Sequence, residues 1–177
     1  MAYRIRHVCT YVVSRPNHLY GSVMTDTEQS PTLIADPKQR GILIVDDEFG
    51  PREAMRYMLK SRSYQNVHFA QNGREALAQL SALGSAIYLI LLDVRMPVMD
   101  GMAFLHHLAG DCHCPVGVIA ATGSPSTEGE REFLEAATPN VLTLNYVGKP
   151  FELTDMLNSV SRSLDRIHAQ REASVAA

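Results

Sequence analysis

The chain has 177 residues, 46% of them hydrophobic, and a formal charge of -3, which suits one buried core with tails and leaves little for a second domain. No long basic run gathers Lys and Arg on one face, so the charge pattern carries no nucleic-acid footprint. Three cysteines, Cys9, Cys112 and Cys114, make no even disulfide framework, and the interrupted apolar patch from Val8 to Val13 is neither a signal-peptide core nor a bilayer span, so a cytoplasmic chain without membrane attachment is expected.

In chain order, residues 1–40 are of mixed composition and are broken by Ser30-Pro31 and Asp36-Pro37, which predicts a flexible N-terminal extension. Met24 is a candidate start of the functional chain. The competing reading of residues 1–23 is a short amphipathic strand docked on the domain edge. A domain is expected over 41–168, with a C-terminal tail over 169–177.

Within the domain, Ile42-Leu43-Ile44-Val45 reads as a buried strand that ends on Asp46, Asp47 and Glu48. Pro51 suits a first helical turn, and Ala54, Met55, Met58 and Leu59 recur at helical spacing, predicting a helix over about 50–62. Val67-His68-Phe69-Ala70 is a short strand, and Asn72 with Glu75 three residues on marks a capped helix carrying Leu77, Leu80 and Leu83. Tyr88 to Leu92 is almost wholly apolar and closes on Asp93. Such a run reads as a strand covered on both faces, as in parallel sheets. Pro97 and Asp100-Gly101 keep the next loop irregular.

Met102, Leu105 and Leu108 mark a third helix. Pro115 to Ala121 forms a fourth strand ending at Thr122-Gly123, Pro125 opens a fourth helix with Phe133 and Leu134 on its buried side, and Val141 to Val147 forms a fifth strand that delivers Lys149. The last helix runs from about Phe151 to Gln170. Its apolar stripe, Leu153, Leu157, Val160, Leu164 and Ile167, is core-facing, with a dimer seam past Val160 as the alternative. Alternating strands and helices predict an α/β fold with a doubly wound, flavodoxin-like, five-stranded parallel sheet in the order 2-1-3-4-5. That order brings Asp46, Asp47, Asp93, Thr122 and Lys149 to one sheet edge.

Three aspartates in one pocket repel each other unless a cation holds them, and hard oxygen ligands favour Mg²⁺. A fixed ammonium and a hydroxyl opposite the acids suit a phosphoryl group arriving at one carboxylate, with Asp93 as the nucleophile.

These motifs, Asp46-Asp47, Asp93 in DVRMPVMDG, Thr122-Gly123 and Lys149-Pro150-Phe151, resemble the receiver domain of two-component response regulators over residues 41 to about 168. The resemblance implies that Asp93 accepts phosphate from a sensor histidine kinase or phosphotransfer protein in a phosphorelay. It implies that Asp47, Asp93 and the Arg95 carbonyl ligate Mg²⁺, that Asp46 acts through a water, and that Thr122 and Lys149 bind phosphoryl oxygens. Thr122 and Tyr146 are the implied switch pair, and Lys149-Pro150 the implied cis bond. It further implies a single-domain regulator that presents its fourth helix, fifth strand and fifth helix to an unknown downstream protein or to a second copy in a homodimer. The 27 positions from Thr122 to Lys149 exceed the family's usual spacing, which predicts an enlarged fourth helix or exit loop. The alternative is a degenerate receiver that binds partners without phosphate.

The bland reading of Asp46 alone is a helix cap. Cys112-His113-Cys114 with His106 and His107 lacks paired metal-ligand spacing. A haloacid-type phosphatase would need an acid where Arg95 stands. A flavin module would need a glycine-rich and hydroxyl-rich loop where Asp46-Asp47-Glu48 would repel phosphate.

Overall fold

The computed structural model describes residues 33–176 apart from 112, 113, 124–126 and 139. Its elements are β1 (Gly41–Val45), α1 (Phe49–Ser61), β2 (Val67–Ala70), α2 (Gly73–Leu83), a 3₁₀ turn (Gly84–Ala86), β3 (Ile87–Asp93), α3 (Gly101–Asp111), β4 (Val116–Thr122), α4 (Thr127–Glu135), β5 (Val141–Gly148) and α5 (Leu153–Ala176). The strands pair in parallel in the order β2-β1-β3-β4-β5, the expected doubly wound topology.

Every residue of β1, β3 and β4 is buried, which is why these strands read as unbroken apolar runs. Alternation along them divides the core into two layers. Leu43, Val45, Ile90, Leu92, Val118 and Ala120 face α2, α3 and α4 through Leu77, Leu80, Phe104, Leu105 and Phe133. Ile42, Ile44, Leu89, Leu91 and Ile119 face α1 and α5 through Met55, Met58, Leu59, Met156, Val160, Leu164 and Ile167. The helix start at Asn72 is capped as expected: the Glu75 amide donates to Asn72 Oδ1 at 3.0 Å, and the Glu75 carboxylate accepts from the Gln71 amide at 3.0 Å.

Three expectations change. The extension foreseen through residue 40 is tied down from Ile34 onward. The buried Arg40 donates to the Ile34 and Ala35 carbonyls at 3.0 Å each and to the Leu164 carbonyl of α5 at 3.2 Å, and the Ile34 amide donates to the Tyr88 hydroxyl at 2.9 Å. The Met24 start and the docked-strand reading of residues 1–23 lie outside the described residues.

The foreseen tail from 169 is helical through Ala176. Arg171 is 1% exposed, donates to the carbonyls of Pro115, Ser85 and Ile87 at 2.7, 2.6 and 2.6 Å, and lies 3.7 Å from the centre of the Tyr88 ring. A charge-assisted fork on three main-chain carbonyls satisfies the guanidinium, which has no carboxylate partner among the described residues. Leu164 and Ile167 are 0% exposed in the core, so the stripe past Val160 faces the sheet rather than a dimer seam.

The surplus between Thr122 and Lys149 does not lengthen α4, which has 9 residues. Part of it sits in β5, where Val118 pairs with Thr143 but Ile119 pairs with Asn145, so Leu144 forms a bulge.

Candidate functional site

Strand register builds the site. Val45 pairs with Leu92, Asp93 with Ala121, and Thr122 with Gly148, so the residue after β1, the last of β3, the last of β4 and the residue after β5 meet at the carboxyl edge. Crevices outside that edge, beside the switch between β1 and β3, are where this topology binds ligands.

Lys149 joins the two central acids: its Nζ donates to Asp46 Oδ2 and to Asp93 Oδ2, each at 2.9 Å. The remaining carboxylate oxygens take main-chain donors, the Glu48 amide on Asp46 Oδ1 at 2.9 Å and the Arg95 amide on Asp93 Oδ1 at 3.2 Å. Asp46 is 0% and Asp93 7% exposed, whereas Asp47 is open to solvent. Burial alone would lower the Lys149 pKa, but its hydrogen bonds to Asp46 and Asp93 and their negative charges outweigh that, and it lies above its ordinary value. The ammonium is therefore a fixed positive charge at neutral pH.

Carboxylate oxygens of Asp46, Asp47 and Asp93 lie within 4.8 Å of one another. An all-oxygen donor set with one solvent-facing member fits a hard cation that keeps waters, as Mg²⁺ does, better than a thiol- or imidazole-loving metal. Thr122 is 1% exposed, and its carbonyl accepts from the Lys149 amide at 2.6 Å. The Lys149-Pro150 bond is cis. Tyr146 pairs with Ala120, two positions before Thr122, and its half-buried ring lies 5.6 Å from that of Phe133 on α4.

The loop between β3 and α3 is pinned under Asp93. The Gly101 amide donates to the Val94 carbonyl at 2.9 Å, and a Cβ on Gly101 would come within 2.6 Å of the Asp93 carbonyl oxygen. Only glycine fits that approach. The same loop holds Val98 at φ 70°, a costly conformation for a β-branched residue. Arg95 presents its side chain to solvent, with no ion pair to Asp100 among the described residues.

Asp46, Asp47, Asp93, Thr122 and Lys149 thus converge, and the Arg95 backbone joins them. Arg52 escaped sequence reasoning, and Gly101 was read only as part of a turn. Arg52 of α1 donates from Nη1 to the Asp46 carbonyl at 2.6 Å, and Gly101 sets the loop. The Asp-Gly pair was legible as a turn; nothing in the spacing flagged the arginine. Of the His/Cys group, Cys112 and His113 lie outside the described residues, Cys114 is buried, and His107 Nδ1 contacts the Ala103 carbonyl of its own helix at 2.7 Å.

A family model described as the response regulator receiver domain matches residues 42–161. The chain is 34% identical over 125 residues to a protein-glutamate methylesterase/protein-glutamine glutaminase of Archaeoglobus fulgidus, covering 71% of this chain and 34% of that one. It is 29% identical over 137 residues to the transcriptional regulatory protein PdtaR of Mycobacterium tuberculosis, covering 77% of this chain and 62% of that one. The chain therefore spans less than two thirds of these relatives' length. A CheY-like receiver domain protein of Methanospirillum hungatei superposes with a TM-score of 0.63 at 26% identity, over 74% of this chain and 98% of that one.

Proposed function

The chain belongs to the response regulator receiver family, and from that premise we propose that it is a phosphorylation switch whose acceptor is Asp93. The observation that carries this reading is the bridge from Lys149 to Asp46 and Asp93, with Asp47 beside it at the solvent face. A receiver that had lost its chemistry would have no need of a charged lysine aimed at the third strand's terminal carboxylate, which disfavours the degenerate alternative.

In the proposed reaction an Asp93 carboxylate oxygen attacks the phosphorus of a phosphohistidine on a sensor kinase or phosphotransfer protein. The P–N bond breaks, the imidazole takes a proton, and an acyl phosphate forms on Asp93. Asp47, Asp93 and the Arg95 carbonyl would hold Mg²⁺, with Asp46 acting through a water; the ion supplies charge neutralisation. Lys149 would set its ammonium against one phosphoryl oxygen, and the Thr122 hydroxyl is the candidate donor to a second.

The proposed output couples Thr122 to Tyr146. Thr122 ends β4, and the Tyr146 ring rests against Phe133 of α4, so a pull on Thr122 towards the phosphoryl group would vacate space for the ring and repack α4, β5 and α5. That face would then bind a downstream protein or a second copy of the chain. Among the described residues no helix is long and apolar enough to cross a membrane. Labelling with acetyl phosphate and Mg²⁺, compared between wild type and Asp93→Asn, tests the proposal.

A further inference from the structure

Asp46 is held at every polar atom. Its amide donates to the Ala70 carbonyl at 3.1 Å, Oδ1 accepts from Glu48, Oδ2 accepts from Lys149, and its carbonyl accepts from Arg52 at 2.6 Å. The first three bonds fix the strand end and the carboxylate. The fourth holds the carbonyl of the peptide plane joining Asp46 to Asp47, from which the exposed Asp47 side chain departs. Asp47 itself has no hydrogen bond or ion pair among the described residues, apart from its place in the acidic group.

Arg52 is suited to that task by its position. It stands in the first turn of α1, where its amide donates to the Glu48 carbonyl at 3.3 Å, so a rigid helix carries the guanidinium back over the turn it serves. The Phe49 ring, 71% exposed, lies 5.9 Å from the guanidinium carbon, at cation–π range. An otherwise unexplained exposed aromatic thereby gains a role as a brace.

We propose that Arg52 is a positioning residue for the cation site: braced by Phe49, it locks the Asp46–Asp47 peptide so that the Asp47 carboxylate is preset to bind Mg²⁺ beside Asp93. The inference rests on the receiver reading above, and it adds a residue that neither touches the cation nor the phosphoryl group. Groups that orient metal ligands from outside cost roughly 10- to 100-fold in affinity when removed.

The test is Mg²⁺ titration of the full chain by isothermal calorimetry, together with the Mg²⁺ dependence of acetyl phosphate labelling. Arg52→Ala is expected to raise the Mg²⁺ dissociation constant about tenfold, with labelling restored to within about twofold of wild type at saturating Mg²⁺. Arg52→Lys and Arg52→Gln, which keep a donor on a shorter arm, are expected to recover part of the affinity and serve if the alanine variant does not fold. A merely structural role would not separate affinity from maximal labelling. Equal dissociation constants in wild type and all three variants overturn the proposal while leaving the receiver reading intact. A labelling defect that saturating Mg²⁺ does not repair also overturns it. A wild-type chain that binds no Mg²⁺ overturns both.

Discussion

The Lys149 ammonium sits 2.9 Å from the Asp93 carboxylate, across 56 residues of sequence, and the same nitrogen holds Asp46 at 2.9 Å. One cation thus neutralises two buried acids that would otherwise repel each other. Replacing Lys149 with Ala should destabilise the metal-free protein by about 1–3 kcal/mol, because the carboxylates lose a charged partner. Added Mg²⁺ should raise the melting temperature of the variant more than that of wild type, and labelling of Asp93 should fall on the order of 10²-fold. A variant that melts and labels like wild type would remove Lys149 from the mechanism.

The pH dependence of that bridge has a definite sign. The Lys149 pKa is raised above its ordinary 10.5, so the folded state holds the proton more tightly than the unfolded state. The stabilisation is fully present below the unfolded value and is lost as pH rises through the folded value. Thermal melts of wild type should fall faster than those of Lys149→Ala in this alkaline window; parallel curves would contradict the bridge.

Gly101 should tolerate no side chain. A Cβ there meets the Asp93 carbonyl oxygen and the Val94 Cα at 2.6 and 2.9 Å, both backbone atoms. Gly101→Ala is expected to cost about 1–3 kcal/mol and to slow labelling by displacing the acceptor. Gly50, where an added Cβ meets nothing within 4 Å, is the control, since Gly50→Ala lies in α1 and should be neutral or mildly stabilising. Chemical denaturation of both variants checks the contrast, and equal stabilities would refute the close-approach reading.

His168 should make the amino-terminal edge of the sheet acid-sensitive. Burial and the nearby Arg40 depress its pKa below the ordinary 6.5, Arg171 adds to this, and Glu172 and Asp165 only partly oppose it. Its ring lies 6.3 Å from that of Tyr88, and its Nδ1 is buried without a hydrogen-bond partner among the described residues. A depressed histidine contributes stability that is fully present above the unfolded value and is lost as pH falls through the folded one. Hydrogen exchange should therefore quicken in residues 33–40 and 164–176 on acidification below 6.5, while the strand ends at Asp93 and Thr122 stay protected. His168→Gln should flatten the response; an unchanged response would assign it to other groups.

The parts legible in the sequence are those where a local pattern has one physical cause. Ile42 to Val45 and Tyr88 to Leu92 are buried on both faces, so their unbroken apolar runs revealed a parallel sheet, and acids at their ends could only meet if β1 and β3 were neighbours. Arg171 was illegible because its partners, Ser85, Ile87 and Pro115, lie 56 to 86 residues away, and an arginine near an alanine-rich end looks like solvated fray. Arg40 escaped for the same reason, since its clamp on Leu164 spans 124 residues. The Leu144 bulge leaves no trace in a strand that is only partly buried and alternates poorly. Long-range side-chain to backbone bonds have no periodicity to read.

The most direct test of the central claim is intact-mass spectrometry of the full chain after incubation with acetyl phosphate and Mg²⁺. The account predicts that wild type gains the mass of one phosphoryl group, that Asp93→Asn gains none, and that Asp47→Asn gains it only at raised Mg²⁺. Equal phosphorylation of wild type and Asp93→Asn would contradict the assignment of Asp93 as the acceptor.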